Sequence, residues 1–140
     1  MIRFRAWHNT WEEMCEVKRI RFDDEGNITT VLVKGEAFGS NAHLEEIELM
    51  QSTGQFDKNG KEIFEGDIVK RDGIKRPEVV RFGEWIDVDT LGFKEQYIGF
   101  YFESEHEGQK RLYSVESEFN NLCKVIGNIY ENQELLEEEE

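Results

Sequence analysis

The sequence predicts a mainly β protein, an N-terminal antiparallel meander packed on a small C-terminal barrel or roll. Three observations carry that expectation. Apolar and polar residues alternate over short runs, the period of a strand with one buried face. Clusters of Gly, Asn and Asp separate these runs at roughly 8 to 15 residue intervals, as in sandwiches and barrels. No stretch has the length and 3.6-residue period of a long amphipathic helix.

The first strand is read in "MIRFRAW", where Ile2, Phe4 and Ala6 alternate with Arg3 and Arg5. "HNTWEE" supplies turn residues, and "MCEVKRIRF" resumes a strand with Val17, Ile20 and Phe22 expected inward. "DDEGN", residues 23–27, is a turn, since Gly26 and Asn27 tolerate positive φ. "ITTVLV", residues 28–33, is rich in β-branched residues and suits a strand. "KGEAFGSNAH" reads as a loop framed by Gly35 and Gly39. Residues 44–50, "LEEIELM", fit a helical spacing through Leu44, Ile47 and Met50 and a strand through Ile47 and Leu49; strand or short irregular segment is favoured.

Beyond that point "DIVKRDG" ends a strand at Asp72-Gly73, and Pro77 opens the strand "PEVVRFGEWIDV". "LGFKEQYIGFYFES", residues 91–104, reads as a strand, "EHEGQKR" as a turn and "LYSVES" as either a strand or a lead into one. "NNLCKVIGNIYEN" places a last strand with a bulge or bend at Gly127. "QELLEEEE" forms at most a helical turn in a solvated, acidic end.

Composition bounds the function. With 140 residues, 38% hydrophobic and 12% aromatic, the chain can bury a core without disulfides or metals. Its net charge of −14 comes from 31 acidic and 17 basic residues. Six of the acids lie in the last ten residues, so the body keeps 25 acids against 17 bases, a charge of −8. That field repels nucleic acids at long range, which disfavours nucleic-acid binding and allows a basic protein partner. Cys15 and Cys123 form no CxxC, no apolar leader follows Met1, and no run reaches the ~18 apolar residues of a membrane span. The expected setting is the cytoplasm, away from membranes, with both thiols reduced.

The densest motif is "TGQFDKNGKEIFEGDIV", residues 53–69. Calcium does not fit it: counted from Asp57, glycine arrives at the fourth position of an EF-hand loop rather than the sixth, and the twelfth is Ile68. A P-loop does not fit either, because five residues rather than four lie between Gly54 and Gly60 and Lys61 precedes Glu62. Turn chemistry accounts for the same residues. Asn59-Gly60 suits a type I′ hairpin turn, Asp57 can brace it, and Gly66-Asp67 makes a second bend.

His8, His43 and His106 are scattered and form no HExxH pair, so neither a catalytic residue, nor a metal ligand, nor a cofactor is expected. Phe100 and Phe102 are expected in the core, because a stacking platform for single strands needs basic neighbours and these are Glu95, Glu103, Glu105 and Glu107. One basic cluster, Arg3, Arg5, Lys18, Arg19 and Arg21, lies where it can line the outward face of the first hairpin. It could meet an anion or an acidic partner, or pair with Glu16, Asp23 and Asp24.

Three blocks, "IRFRAW" (2–7), "IELMQSTGQFDKNGKEIFEGDIVK" (47–70) and "VIGNIYENQELL" (125–136), resemble the YopX family of bacteriophage and prophage proteins. The resemblance spans nearly the whole chain. It implies an SH3-like β-barrel in the C-terminal part and is compatible with a homo-oligomer. It transfers no activity, cofactor or catalytic residue. The expected organisation is a β subdomain over residues 1–50 and an SH3-like barrel over 51–140 with an acidic tail. The expected function is a non-enzymatic interaction or assembly module acting on a host or phage protein. The alternatives are a nucleic-acid accessory factor using the basic hairpin and an enzyme with a dispersed site.

Overall fold

The computed structural model describes residues 2–106, 109–114 and 122–137. Among them are eleven strands, two short 3-10 turns (Leu44–Glu46 and Gln133–Leu136) and no α-helix. Every strand pairing is antiparallel. The chain divides into two units, Met1–Ser52 and Thr53–Glu140.

The first unit is built from β1 (Phe4–His8), β2 (Glu13–Phe22), β3 (Ile28–Lys34), β4 (Gly39–Ala42) and the start of β5 (Ile47–Phe56), ordered β4-β3-β2-β1-β5. Ala6, Cys15, Val31, Val33, Ala42 and Ile47 make its core, with Val17, Ile20 and Trp11 packed against it. A bulge explains how Val17 and Ile20, of opposite parity in sequence, both turn inward. Val17 pairs with Val33 and Arg19 with Leu32, so Lys18 is passed over and the strand changes face. A second irregularity follows between Arg21 and Phe22, and Phe22, expected inward, is exposed instead. Residues 39–42, expected as loop, add the edge strand β4. Residues 44–50 resolve into a 3-10 turn and then strand.

In the second unit the end of β5 turns back as β6 (Glu62–Phe64). A five-stranded sheet follows, from β7 (Asp67–Arg71), β8 (Glu78–Val88), β9 (Lys94–His106), β10 (Gln109–Ser114) and β11 (Cys123–Asn128), ordered β10-β9-β8-β7-β11. Ile63, Val69, Val80, Phe102, Cys123 and Val125 form its core, with Phe100 partly buried against them. Phe102 is thus core, as alternation predicts. The bulge expected at Gly127 is present, with the register of β11 on β7 shifting between Val125 and Gly127. The turn expected over "EHEGQKR" is shorter, since β9 runs to His106 and β10 begins at Gln109. Glu107 and Gly108 lie outside the described residues, as do residues 115–121 of the expected "LYSVES" and "NNLC" segments and residues 138–140 of the acidic end. Among the described residues β10 and β11 are the two edges of an open sheet, and no closed barrel is formed.

Candidate functional site

The turn residues of the 53–69 motif are where the sequence puts them, with a different geometry. Gly60 has φ +81°, but Asn59 does not have positive φ, so the turn is not type I′. Gly60 N–H donates to the Asp57 carbonyl (3.0 Å) and Asp57 N–H to the Lys61 carbonyl (2.8 Å). This is a three-residue hairpin loop with one left-handed glycine. The Asp57 side chain closes it, its Oδ1 accepting from the N–H groups of Asn59 (2.9 Å) and Lys61 (2.8 Å). The same device occurs twice more. Asp23 Oδ1 accepts from Glu25 and Asn27 with Gly26 at φ +86°, and Asp89 Oδ1 accepts from Leu91 and Phe93 with Gly92 at φ +87°. The shared signal is Asp-x-x-Gly, in "DDEG", "DKNG" and "DTLG". Reading Asn59-Gly60 as the determinant missed it.

Asp57 differs from the other two by being buried. Its second oxygen, Oδ2, accepts the N–H of Val125 in β11 at 2.9 Å, 68 residues away. Burial pushes its pKa up, yet the N–H groups of Val125, Lys61 and Asn59 and the Lys61 charge outweigh this and hold it below the usual carboxylate range. Both oxygens are therefore engaged by backbone. At the second bend, buried Asp67 accepts the Phe64 N–H (2.8 Å), and Gly66, at φ +88°, donates to the Val80 carbonyl (2.7 Å).

Nearby, Arg71 and Glu78 form a buried two-pronged ion pair, Nε to Oε1 and Nη2 to Oε2 (2.9 Å). The guanidinium also lies 5.0 Å from the centre of the Phe102 ring. Cys123 is enclosed here, and burial, then the Asp57 charge, pushes its thiol up to about 12. Both cysteines are free and buried, and Cys15 is also pushed up, by burial and then Glu13. Among the described residues no three of His, Cys, Asp and Glu gather as metal ligands, and no helix is long and apolar enough to cross a membrane.

Strand register sorts the basic cluster. Arg5 pairs with Glu16, Arg19 with Leu32 and Arg21 with Thr30, whereas Ala6, Cys15 and Val33 belong to the buried face. Arg3, Arg5, Arg19 and Arg21 therefore share the face opposite that core. Lys18, at the bulge, is held by Glu16 (3.0 Å).

A feature that the sequence reading did not single out lies in β8 and β9. β7 pairs with β8 only at Ile68–Val79 and Val69–Glu78, and β10 reaches β9 only as far as Tyr101. From the Phe82–Phe100 rung to the Val88–Lys94 rung the two strands form a ribbon with no third strand among the described residues. One face alternates Phe82, Glu84, Ile86 and Val88 on β8 with Phe100, Ile98, Gln96 and Lys94 on β9. Phe82 is 47% exposed, Ile86 53%, Val88 54% and Ile98 77%, and at the turn Leu91 is 80% and Phe93 68% exposed. Phe93 pairs with Asp89 and so belongs to the other face; against a full side-chain area of about 150–200 Å² each, the remaining five leave on the order of 550 Å² of exposed apolar side chain on this one. That is the upper end of what a monomer shows, and such patches mark interaction sites. A two-stranded hairpin is marginal in water unless something covers it. Phe82 and Phe100 meet edge to face, 4.9 Å between centres, at its base.

The second unit also holds a cleft of about 260 Å³ lined by Arg76, Pro77, Val79, Arg81, Glu103 and Leu135, among others. It falls below the roughly 300–1,000 Å³ usual for small-molecule sites. Arg81 Nε stands 4.0 Å from Glu103 Oε1 across it.

Comparison with known proteins sets the chain beside a family model and solved structures. A family model described as YopX protein matches residues 3–137. The crystal structure of protein EF1440 from Enterococcus faecalis is similar over 98% of this chain and 99% of that one, at 28% identity and a TM-score of 0.56. No curated protein matches.

Proposed function

The chain belongs to the YopX family, and from that premise we propose that it is a non-enzymatic interaction or assembly module. Its working surface is the β8–β9 ribbon, and it acts on a protein, of host or phage origin, in the cytoplasm of a bacterium carrying the phage or prophage. The observation that carries this reading is the apolar face of the ribbon, left without a third strand among the described residues. The non-enzymatic part is supported by how the buried ionisable groups are used. Asp57 holds backbone N–H groups, Arg71 holds Glu78, and Cys123 is a buried thiol far from its thiolate. The proposal includes an SH3-like barrel for the second unit, supported by its five antiparallel strands. An experimental structure in which β10 and β11 close on each other would establish it, and an open sheet would remove it.

The test is photo-crosslinking in cells. A benzophenone side chain placed at Ile86 or Ile98 should give light-dependent adducts, and the same group at Phe22, an exposed position of the other unit, should not. Absence of adducts from both ribbon positions overturns the reading.

A second reading, a nucleic-acid accessory factor, is favoured by the shared face of Arg3, Arg5, Arg19 and Arg21. It predicts binding to DNA or RNA that weakens with salt and with Arg19→Ala and Arg21→Ala. No binding at low salt removes it.

A further inference from the structure

We infer that the ribbon's partner is a second copy of this chain, seated on it by a two-fold axis; this rests on the interaction reading above. The inference comes from the order of residues on the exposed face. From base to tip its rungs are Phe82–Phe100, Glu84–Ile98, Ile86–Gln96 and Val88–Lys94, followed by the turn that carries Leu91; Phe93 pairs with Asp89 and belongs to the other face. Two such faces can stack antiparallel about an axis through the Ile86–Gln96 rung. Ile86 then meets Ile86 of the second copy. The Glu84–Ile98 rung lies over the Val88–Lys94 rung, which brings Glu84 within reach of Lys94 of the second copy and covers Ile98 with the lysine stem. The base pair Phe82 and Phe100 lies over Leu91 of the other turn. Each of these contacts occurs twice, as an isologous interface requires.

The face is thus complementary to itself in both apolar and charged positions. Glu84 already accepts a hydrogen bond from Gln96 beside it, which orients its carboxylate over this face. The area agrees. Two copies would remove at most about 1,100 Å² from water, between the ~1,000 Å² threshold and the standard size of specific interfaces, so the dimer should be weak, reversible and dependent on concentration. Stacking also supplies the cover that a two-stranded ribbon lacks.

The test is sedimentation equilibrium of the full chain across a wide concentration range. The mass should rise from 16.6 kDa toward twice that value. Ile86→Lys, which places two like charges on the axis, should leave a monomer at every concentration. Lys94→Glu and Glu84→Lys should each weaken the dimer about tenfold or more. The double variant Glu84→Lys/Lys94→Glu should restore it, which no merely destabilising change would do. Circular dichroism checks that each variant is folded, and the charge-reversal set decides the matter should Ile86→Lys fail that check. A wild-type chain that stays monomeric, or a double variant no tighter than the singles, overturns the inference. A monomer whose ribbon still crosslinks to another protein overturns the second copy alone, and a ribbon that crosslinks to nothing overturns both readings.

Discussion

Asp57→Ala is the substitution whose cost the structure specifies best. It removes acceptors from three N–H groups, those of Asn59, Lys61 and Val125. The first two sit in an exposed loop and can turn to water, so their loss costs about 1 kcal/mol, as for a helix cap. Val125 is a buried core residue of β11, and its orphaned N–H costs about 2 kcal/mol more. The sum, about 3 kcal/mol, should lower the melting temperature of the second unit by roughly 10 °C. Guanidinium titration with tryptophan fluorescence reads it directly. Asp23→Ala breaks the same loop device at an exposed site whose partners all lie within the loop, and should cost clearly less. The cost should also depend on pH. The folded pKa of Asp57 is depressed, so its stabilisation is complete above the unfolded value of about 3.9 and is lost as pH falls through the folded value. Wild type and Asp57→Ala should therefore differ fully at pH 7 and converge in strong acid. Equal destabilisation by Asp57→Ala and Asp23→Ala, or a difference that ignores acid, would refute the reasoning.

Three further outcomes follow from the second unit and the cysteines. Arg71→Met leaves Glu78 buried without its guanidinium and should cost about 3–5 kcal/mol in a denaturant titration, with part recovered in Arg71→Met/Glu78→Leu. Neither cysteine should react with a disulfide reagent at pH 8 while the chain is folded, and both should react once it is unfolded. Gly127→Ala would set its Cβ 2.5 Å from Asn132 Oδ1, which caps the Asn128 N–H, and should cost about 1–2 kcal/mol. Added to Asn132→Ala it should cost much less, as a thermal melt would show.

The sequence made the strands legible because they alternate cleanly. Phe4 to Ala6 and the run from Thr29 to Val33 could be placed from period and β-branching alone, and Phe102 could be assigned to the core, whereas Ile2, expected on the buried face, lies before β1 and is exposed. It misled where register is set across strands. Phe22 is exposed at the last rung of the β2–β3 pair, beyond a register shift that passes over Thr29 in β3, and nothing local to Phe22 announces that shift. Asn59-Gly60 suggested the wrong turn, although Asp-x-x-Gly was repeated in plain view. The ribbon was hidden for a different reason. Ile86 and Ile98 alternate as any buried strand residue does, and only strand register shows that no third strand among the described residues lies beside them. Composition cannot show where a neighbouring strand stops.

The central claim is that this ribbon is the surface the chain uses, and amide hydrogen exchange tests it residue by residue. Exchange should be compared on the full chain at a concentration where it is monomeric and at one where it has associated. The account predicts that amides of residues 82–88 and 94–100 gain protection on association while those of β2 and β3 stay unchanged. Association that protects other strands and leaves the ribbon exchanging freely would contradict it.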